Sequence, residues 1–196
     1  MAAFEAKGLI ARHVGPVDFS LEEGCCLGLS GPSGSGKSLV LRALADLDPH
    51  EGEVLLAGVS QRLISGPDWR SRVGYLPAES HWWAPLVGDH FQTQGLGSEL
   101  EMLGLSSEAW DWTPDRLSSG EKQRLAFLRL LSIEPEVLLL DEPTANLDKT
   151  AAQALESLVE RWRRGRGVSV IWVSHDLEQL ERVTGDVLVL DAGGAS

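Results

Sequence analysis

At 196 residues the chain can bury one substantial core and is too short for two ordinary α/β domains. Its 29 acidic and 17 basic residues give a net charge of −12, which counts against a protein whose main task is to hold DNA or RNA but permits one phosphate pocket of local positive potential. No apolar run approaches the roughly 18 residues of a membrane helix, and Met1-Ala2-Ala3-Phe4-Glu5-Ala6-Lys7 lacks the basic and apolar regions of a signal peptide, so a soluble cytoplasmic protein is expected.

Residues 3–30 alternate apolar and polar positions in short runs and predict two or three strands, with a turn at Glu22-Glu23-Gly24. Cys25 and Cys26 fall in the last of these. Adjacent strand positions face opposite sides, so the two are poor disulfide partners and read as small core residues in a reducing compartment. Gly31-Pro32-Ser33-Gly34-Ser35-Gly36-Lys37-Ser38 then fits the pattern G-x-x-x-x-G-K-[ST] at every fixed position. A strand before it and a helical run from Leu39 after it supply the required setting.

Asp48–Gly52 reads as a turn, Glu53–Gly58 as a strand, and Arg72–Leu76 as another strand that stops at Pro77. From about 78 to 131 the pattern is helical and irregular, with Trp82, Trp83, Trp110 and Trp112 concentrated in it. Val137–Leu140 is a continuous apolar run ending in Asp141 and Glu142, as in a strand buried on both faces. A helix over about 150–163, a strand over 168–173, a helix over 177–183 and a strand over 186–190 complete the chain. Strands alternating with helices predict an α/β fold with a mostly parallel sheet.

The glycine loop defines the first chemistry. Gly31, Ser33, Gly34, Ser35 and Gly36 let successive backbone N–H groups turn toward an anion at a helix N-terminus. Lys37 adds a mobile charge and Ser38 a hydroxyl ligand for Mg²⁺, so the implied ligand is a nucleoside triphosphate. Asp141, at the carboxyl end of a parallel strand, is a second Mg²⁺ ligand, and Glu142 is placed to accept a proton from an attacking water or to orient it.

Four ordered motifs then converge. Leu117-Ser118-Ser119-Gly120-Glu121 resembles the LSGGQ signature of the ATP-binding cassette (ABC) ATPases. Leu138 to Thr144 is similar to their second phosphate-site strand, Ala145-Asn146-Leu147-Asp148 to their D-loop, and Val173-Ser174-His175-Asp176 to their switch-histidine loop. The resemblance covers nearly the whole chain and implies a single domain over 1–196 of P-loop NTPase (RecA-like) type, with an N-terminal antiparallel part and a shortened helical subdomain at about 78–131.

The resemblance also implies roles. ATP and Mg²⁺ are the expected ligands, with Lys37, Glu142 and His175 acting on ATP bound to their own chain. Ser118 and Gly120 would meet the γ-phosphate held by another subunit, so a homodimer or a pair with another ABC subunit closes around two nucleotides, and Asp148 would couple the two sites. A separate transmembrane permease would then hold the protein at the inner face of the membrane, with no role for nucleic acid. Transporter subunits fit this pattern better than soluble translation or repair proteins, which carry two cassettes or long insertions.

Three departures stand out. Ala78 occupies the position where the family usually has a glutamine that reaches Mg²⁺ and the attacking water, which opens the alternative of a nucleotide-gated regulatory module with weak or no hydrolysis; Glu79 is the candidate substitute ligand. Ser119 and Glu121 replace a glycine and a glutamine in the signature. The aromatic that usually stacks on adenine corresponds to His13, with Phe4 as an alternative. Trp82, Trp83, Leu86 and Phe91 are either a docking patch for a membrane subunit or the core of the small subdomain. Arg161, Arg163, Arg164 and Arg166 around Trp162 suit a helix C-terminus, where positive charge complements the dipole.

Overall fold

The structure, a computed structural model, describes residues 3–93, 95–191 and 194–195. The chain opens with a hairpin of two strands, β1 (Phe4–Ala11) and β2 (Val14–Leu21). Phe4, Ala6, Leu9 and Ala11 are buried, and a register shift between Ala6 and Leu9 keeps the apolar set on one face. Next come the strand β3 (Cys26–Ser30), the helix α1 (Lys37–Leu44), and the strands β4 (His50–Leu56) and β5 (Val59–Ser60). Strand β4 begins inside the expected turn because His50 already pairs with Ala11. The antiparallel sheet has the order β2-β1-β4-β5.

Helix α2 (Gly66–Arg72) starts at Ser65, whose hydroxyl caps Asp68 N–H, and leads into β6 (Val73–Leu76). Between β6 and residue 118, three short 3-10 turns surround α3 (Gly97–Met102). Helix α4 (Ser119–Leu131) then delivers the chain to β7 (Val137–Asp141). Helix α5 (Lys149–Arg166), β8 (Ser169–Val173), α6 (Leu177–Val183), β9 (Asp186–Asp191) and β10 (Gly194–Ala195) follow. The second sheet has the order β10-β9-β3-β8-β7-β6, parallel throughout its pairs except β10 with β9.

Strand β7 shows why this sheet needs cover on both faces. Val137 and Leu139 enter a core shared with α1 and the antiparallel sheet, whereas Leu138 and Leu140 enter a second core with α3, α4 and α5. All four are fully buried. Burial of this size is the main stabilising term, at about 1.5–3 kcal/mol per large apolar side chain.

Several local expectations need correction. Cys25 is exposed and precedes β3, while Cys26 is buried, so only Cys26 is a core residue; burial pushes its thiol up to about 12. Helix α5 runs to Arg166 instead of 163, because Gly167 supplies the left-handed residue (φ 69°) that ends it. The arginines at its end are paired: Arg163 with Glu160 at 2.7 Å, Arg166 with Glu134 at 3.1 Å, and Arg164 with Glu160. Arg161 lies against Met102 Sδ at 3.0 Å. The tryptophans divide. Trp82 packs against the second core, Trp83 is 73% exposed, and Arg129 lies over both rings at 4.7 and 4.9 Å. No helix among the described residues is long and apolar enough to cross a membrane.

Candidate functional site

The loop between β3 and α1 turns on left-handed or extended-left glycines: Gly31 at φ 148°, Gly34 at 80° and Gly36 at 94°. A Cβ on Gly31 would strike Leu190 O, and one on Gly36 would strike Val14 Cγ2, so these two positions are closed to other residues. Gly36 is the N-cap of α1, and no side chain caps the N–H groups that follow it. Ser35 Oγ is buried without a partner. Free N–H groups at a helix start beside an unpartnered hydroxyl fit a phosphate ligand.

Lys37 is buried at 7% exposure and folds over this loop, its Nζ donating to Gly31 O at 2.8 Å and Pro32 O at 3.0 Å. Burial lowers its pKa, and the carboxylates of Glu142 and Asp141 partly restore it. A cleft of about 340 Å³ brings Ser33, Gly34, Gly36, Lys37 and Ser38 together with Ala78, Asp141, Glu142 and His175. Residues from four separate segments thus meet at the ends of β3, β6, β7 and β8.

Asp141 ends β7 and is 4% exposed; its Oδ2 accepts from the Tyr75 hydroxyl at 3.1 Å. Burial first, then Asp141, raises the Tyr75 pKa, so the phenol stays a neutral donor. Glu142 follows at φ 49°, a left-handed conformation rare for this residue, and its N–H donates to Val173 O at 3.2 Å. Glu142 Oε1 lies 3.3 Å from His175 Nε2, at ion-pair range without an aligned hydrogen bond. Burial raises the Glu142 pKa, while His175 and Lys37 pull it down.

Among the described residues no cluster of three or more His, Cys, Asp or Glu side chains is arranged to hold a metal ion. Ser38 and Asp141 supply two oxygens to the cleft, a donor set that suits Mg²⁺ taking its remaining ligands from phosphates and water. Ala78 lines the same cleft with a methyl group, and Glu79, which is exposed, does not line it.

Ser118 and Gly120 lie outside this cleft. Ser118 is the N-cap of α4 in a reciprocal box: Glu121 N–H donates to its Oγ at 3.2 Å, and Ser118 N–H and O–H donate to Glu121 Oε2 at 2.8 and 2.7 Å. Those bonds hold the Glu121 carboxyl below its usual range. The Ser118 hydroxyl would have to leave Glu121 to donate to a phosphate. A Cβ on Gly120 would sit 3.2 Å from Asn146 O, so the signature helix and the D-loop touch within the chain. Asp148 caps α5, accepting from Ala151 N–H at 2.9 Å.

His13 is exposed at the β1–β2 turn, one residue before the Val14 that packs on Gly36. Phe4 is fully buried against Phe19 and Trp69 and has no face to offer a base. The tie between Tyr75 and Asp141 was not legible in the sequence, since only the register of β6 against β7 brings the two together.

Residues 14–145 match the family model described as ABC transporter. The chain is 38% identical to Protein STAR1 of Oryza sativa over 189 residues, covering 90% of this chain and 55% of that protein. It is 34% identical to an aliphatic sulfonates import ATP-binding protein of Pseudomonas entomophila over 187 residues, covering 90% of this chain and 67% of the relative. Its fold superimposes with a TM-score of 0.84 on a dimeric ATP-binding cassette in a post-hydrolysis state bound to ADP and Pi, at 22% identity, over 98% of this chain and 96% of the other. The chain therefore spans little more than half the length of its rice relative.

Proposed function

We propose a function from one premise: the chain belongs to the ABC transporter family of ATPases. It binds Mg-ATP, pairs around two nucleotides and hydrolyses them to drive a separate membrane permease. The observation that carries this is the convergence of Lys37, Ser38, Asp141, Glu142 and His175 on one cleft while Ser118 and Gly120 stay outside it. The relatives named as sulfonate and methionine import proteins favour a transporter that imports, with this chain peripheral to the membrane through the permease.

The chain's own groups divide the work. The glycine-loop N–H groups and Lys37 bind the phosphates, and Lys37 exchanges its two carbonyl partners for phosphate oxygens. Ser38 and Asp141 would hold Mg²⁺, which would neutralise phosphate charge. Glu142 orients water or takes its proton, and His175 holds the Glu142 carboxylate and faces the γ-phosphate. The start of α4, where Ser118 is exposed and Gly120 half-buried, is a helix N-terminus that would meet the nucleotide of another subunit once the Ser118 hydroxyl leaves Glu121. ATP can favour the closed pair only through its greater affinity for that state, and hydrolysis removes the difference.

Mixing two inactive variants tests the shared site. Ser118→Arg spoils the site of a partner, and Glu142→Gln spoils the site in its own chain. A mixed homodimer therefore retains one intact site, and turnover should return on mixing. Two active-site defects that stay dead together would sink the homodimeric reading. Ala78 in the cleft favours the second reading, a nucleotide-gated regulatory module: purified protein that forms ATP-dependent dimers but turns over no faster than Glu142→Gln would establish it.

A further inference from the structure

A buried polar network joins the segment after Glu142 to the helix after His175. Gln179 is 4% exposed on the inner side of α6, beside the fully buried Leu180, where an apolar side chain would ordinarily sit. Its amide is fully engaged. Nε2 donates to Thr144 Oγ1 at 3.0 Å and to Glu156 Oε1 at 2.7 Å, and Oε1 accepts from the Thr144 hydroxyl at 3.2 Å. Glu156 is in turn gripped by Arg182, Nη2 to Oε1 at 2.8 Å and Nε to Oε2 at 3.1 Å. The Gln179 N–H donates to Asp176 Oδ1 at 3.1 Å, and the Asp176 N–H to Ser174 Oγ at 3.1 Å.

Thr144 lies two residues after Glu142, and Gln179 four after His175. From the 3.3 Å approach of Glu142 to His175 and the left-handed Glu142 backbone, we infer that Gln179 is a positioning residue: through Thr144 and Glu156 it fixes the separation of the two side chains. A left-handed glutamate persists only where its surroundings over-determine it. The hydrogen bond to Val173 O fixes one side of the turn, and the Thr144–Gln179 tie fixes the other. A buried amide leaves its partners unsatisfied when removed, so such a network specifies one arrangement. The inference rests on the reading of Glu142 and His175 as the hydrolytic pair.

Gln179→Leu keeps volume and burial while deleting the amide, and Thr144→Val deletes the hydroxyl. Each should lower kcat on the order of 10-fold, as loss of an orienting partner does, with ATP affinity nearly unchanged and the melting temperature lowered by the unsatisfied partners. The double variant should be no worse than either single one, because both cut the same tie. Gln179→Glu sets two carboxylates against each other and should be equally poor. An unchanged kcat, or a fall in ATP affinity as large as the fall in kcat, would reduce Gln179 to a structural residue and overturn the proposal. Crystal structures of wild type and Gln179→Leu give a readout without turnover. Separation of Glu142 and His175 well beyond their 3.3 Å approach in the variant supports it, and retention of the wild-type spacing overturns it. If wild type hydrolyses no faster than Glu142→Gln, the hydrolytic reading fails, and that comparison of structures still decides whether Gln179 positions the pair.

Discussion

Tyr75 donates its hydroxyl to Asp141 Oδ2 across neighbouring strands at 3.1 Å, which leaves the other carboxylate oxygen without that donor. On the proposed reading of Asp141 as a Mg²⁺ ligand, the phenol would orient that ligand without touching the metal itself. Tyr75→Phe should raise the Mg²⁺ concentration for half-maximal activity on the order of 10-fold, the usual cost of losing an orienting partner. A Mg²⁺ titration at saturating ATP reads this; an unchanged midpoint would remove Tyr75 from the site.

Gly36 and Val14 leave no room between them, and Gly36 is also left-handed. Gly36→Ala should therefore lower the melting temperature and abolish ATP binding, combining a clash with backbone strain of about 1–3 kcal/mol. Pairing it with Val14→Ala relieves the clash and leaves the strain, so stability should recover in part. Thermal melts and nucleotide titration of the three variants check the order.

Glu142 predicts a stability change with a definite sign. Burial raises its native pKa above the unfolded value, so between those two values the folded chain holds the proton that the unfolded chain has released. Stability then falls as pH rises through the interval, and the cost is complete above it. Glu142→Gln should thus melt higher than wild type at neutral pH, by on the order of 2–4 °C for ~1 kcal/mol at this size. The gain should vanish under acid conditions that protonate the carboxyl in both states. Equal melting temperatures at neutral pH would contradict the buried-charge account.

Ala78 lines the nucleotide cleft with a methyl group. If a missing polar group limits the chemical step, Ala78→Gln should raise turnover, by up to on the order of 10²-fold, the scale of one preorganised group. ATP affinity should move little. Unchanged or slower steady-state hydrolysis would show that the step is limited elsewhere, for example by release of Ser118 from Glu121.

How much of this was legible in the sequence follows from how local each constraint is. The glycine loop fixes residue types over eight contiguous positions, and β7 announces itself through burial on both faces, so both can be read directly. The α/β alternation and the ends of α6 are equally local. The end of α5 was misplaced because a left-handed Gly167, unlike the arginines before it, sets the stop. Trp82 and Trp83 are neighbours in sequence and meet Arg129 and His90 alike, yet only Trp82 also packs against the core while Trp83 remains exposed, a difference set by tertiary packing. The ties from Tyr75 to Asp141 and from Thr144 to Gln179 depend on strand register and on where α6 lies against α5, which no spacing encodes.

The alternation of β7 between two cores has a kinetic meaning. Amides of Leu138, Leu139 and Leu140 sit in a central strand paired on both sides, so exchange with solvent deuterium there requires opening both cores together. Asp141 and Glu142 are carried by the part of the molecule expected to exchange last, while Ser118 and Trp83 stand on exposed turns that can open alone. In the pairing proposed above, movement between subunits would be accommodated at the rim while the acids keep their place.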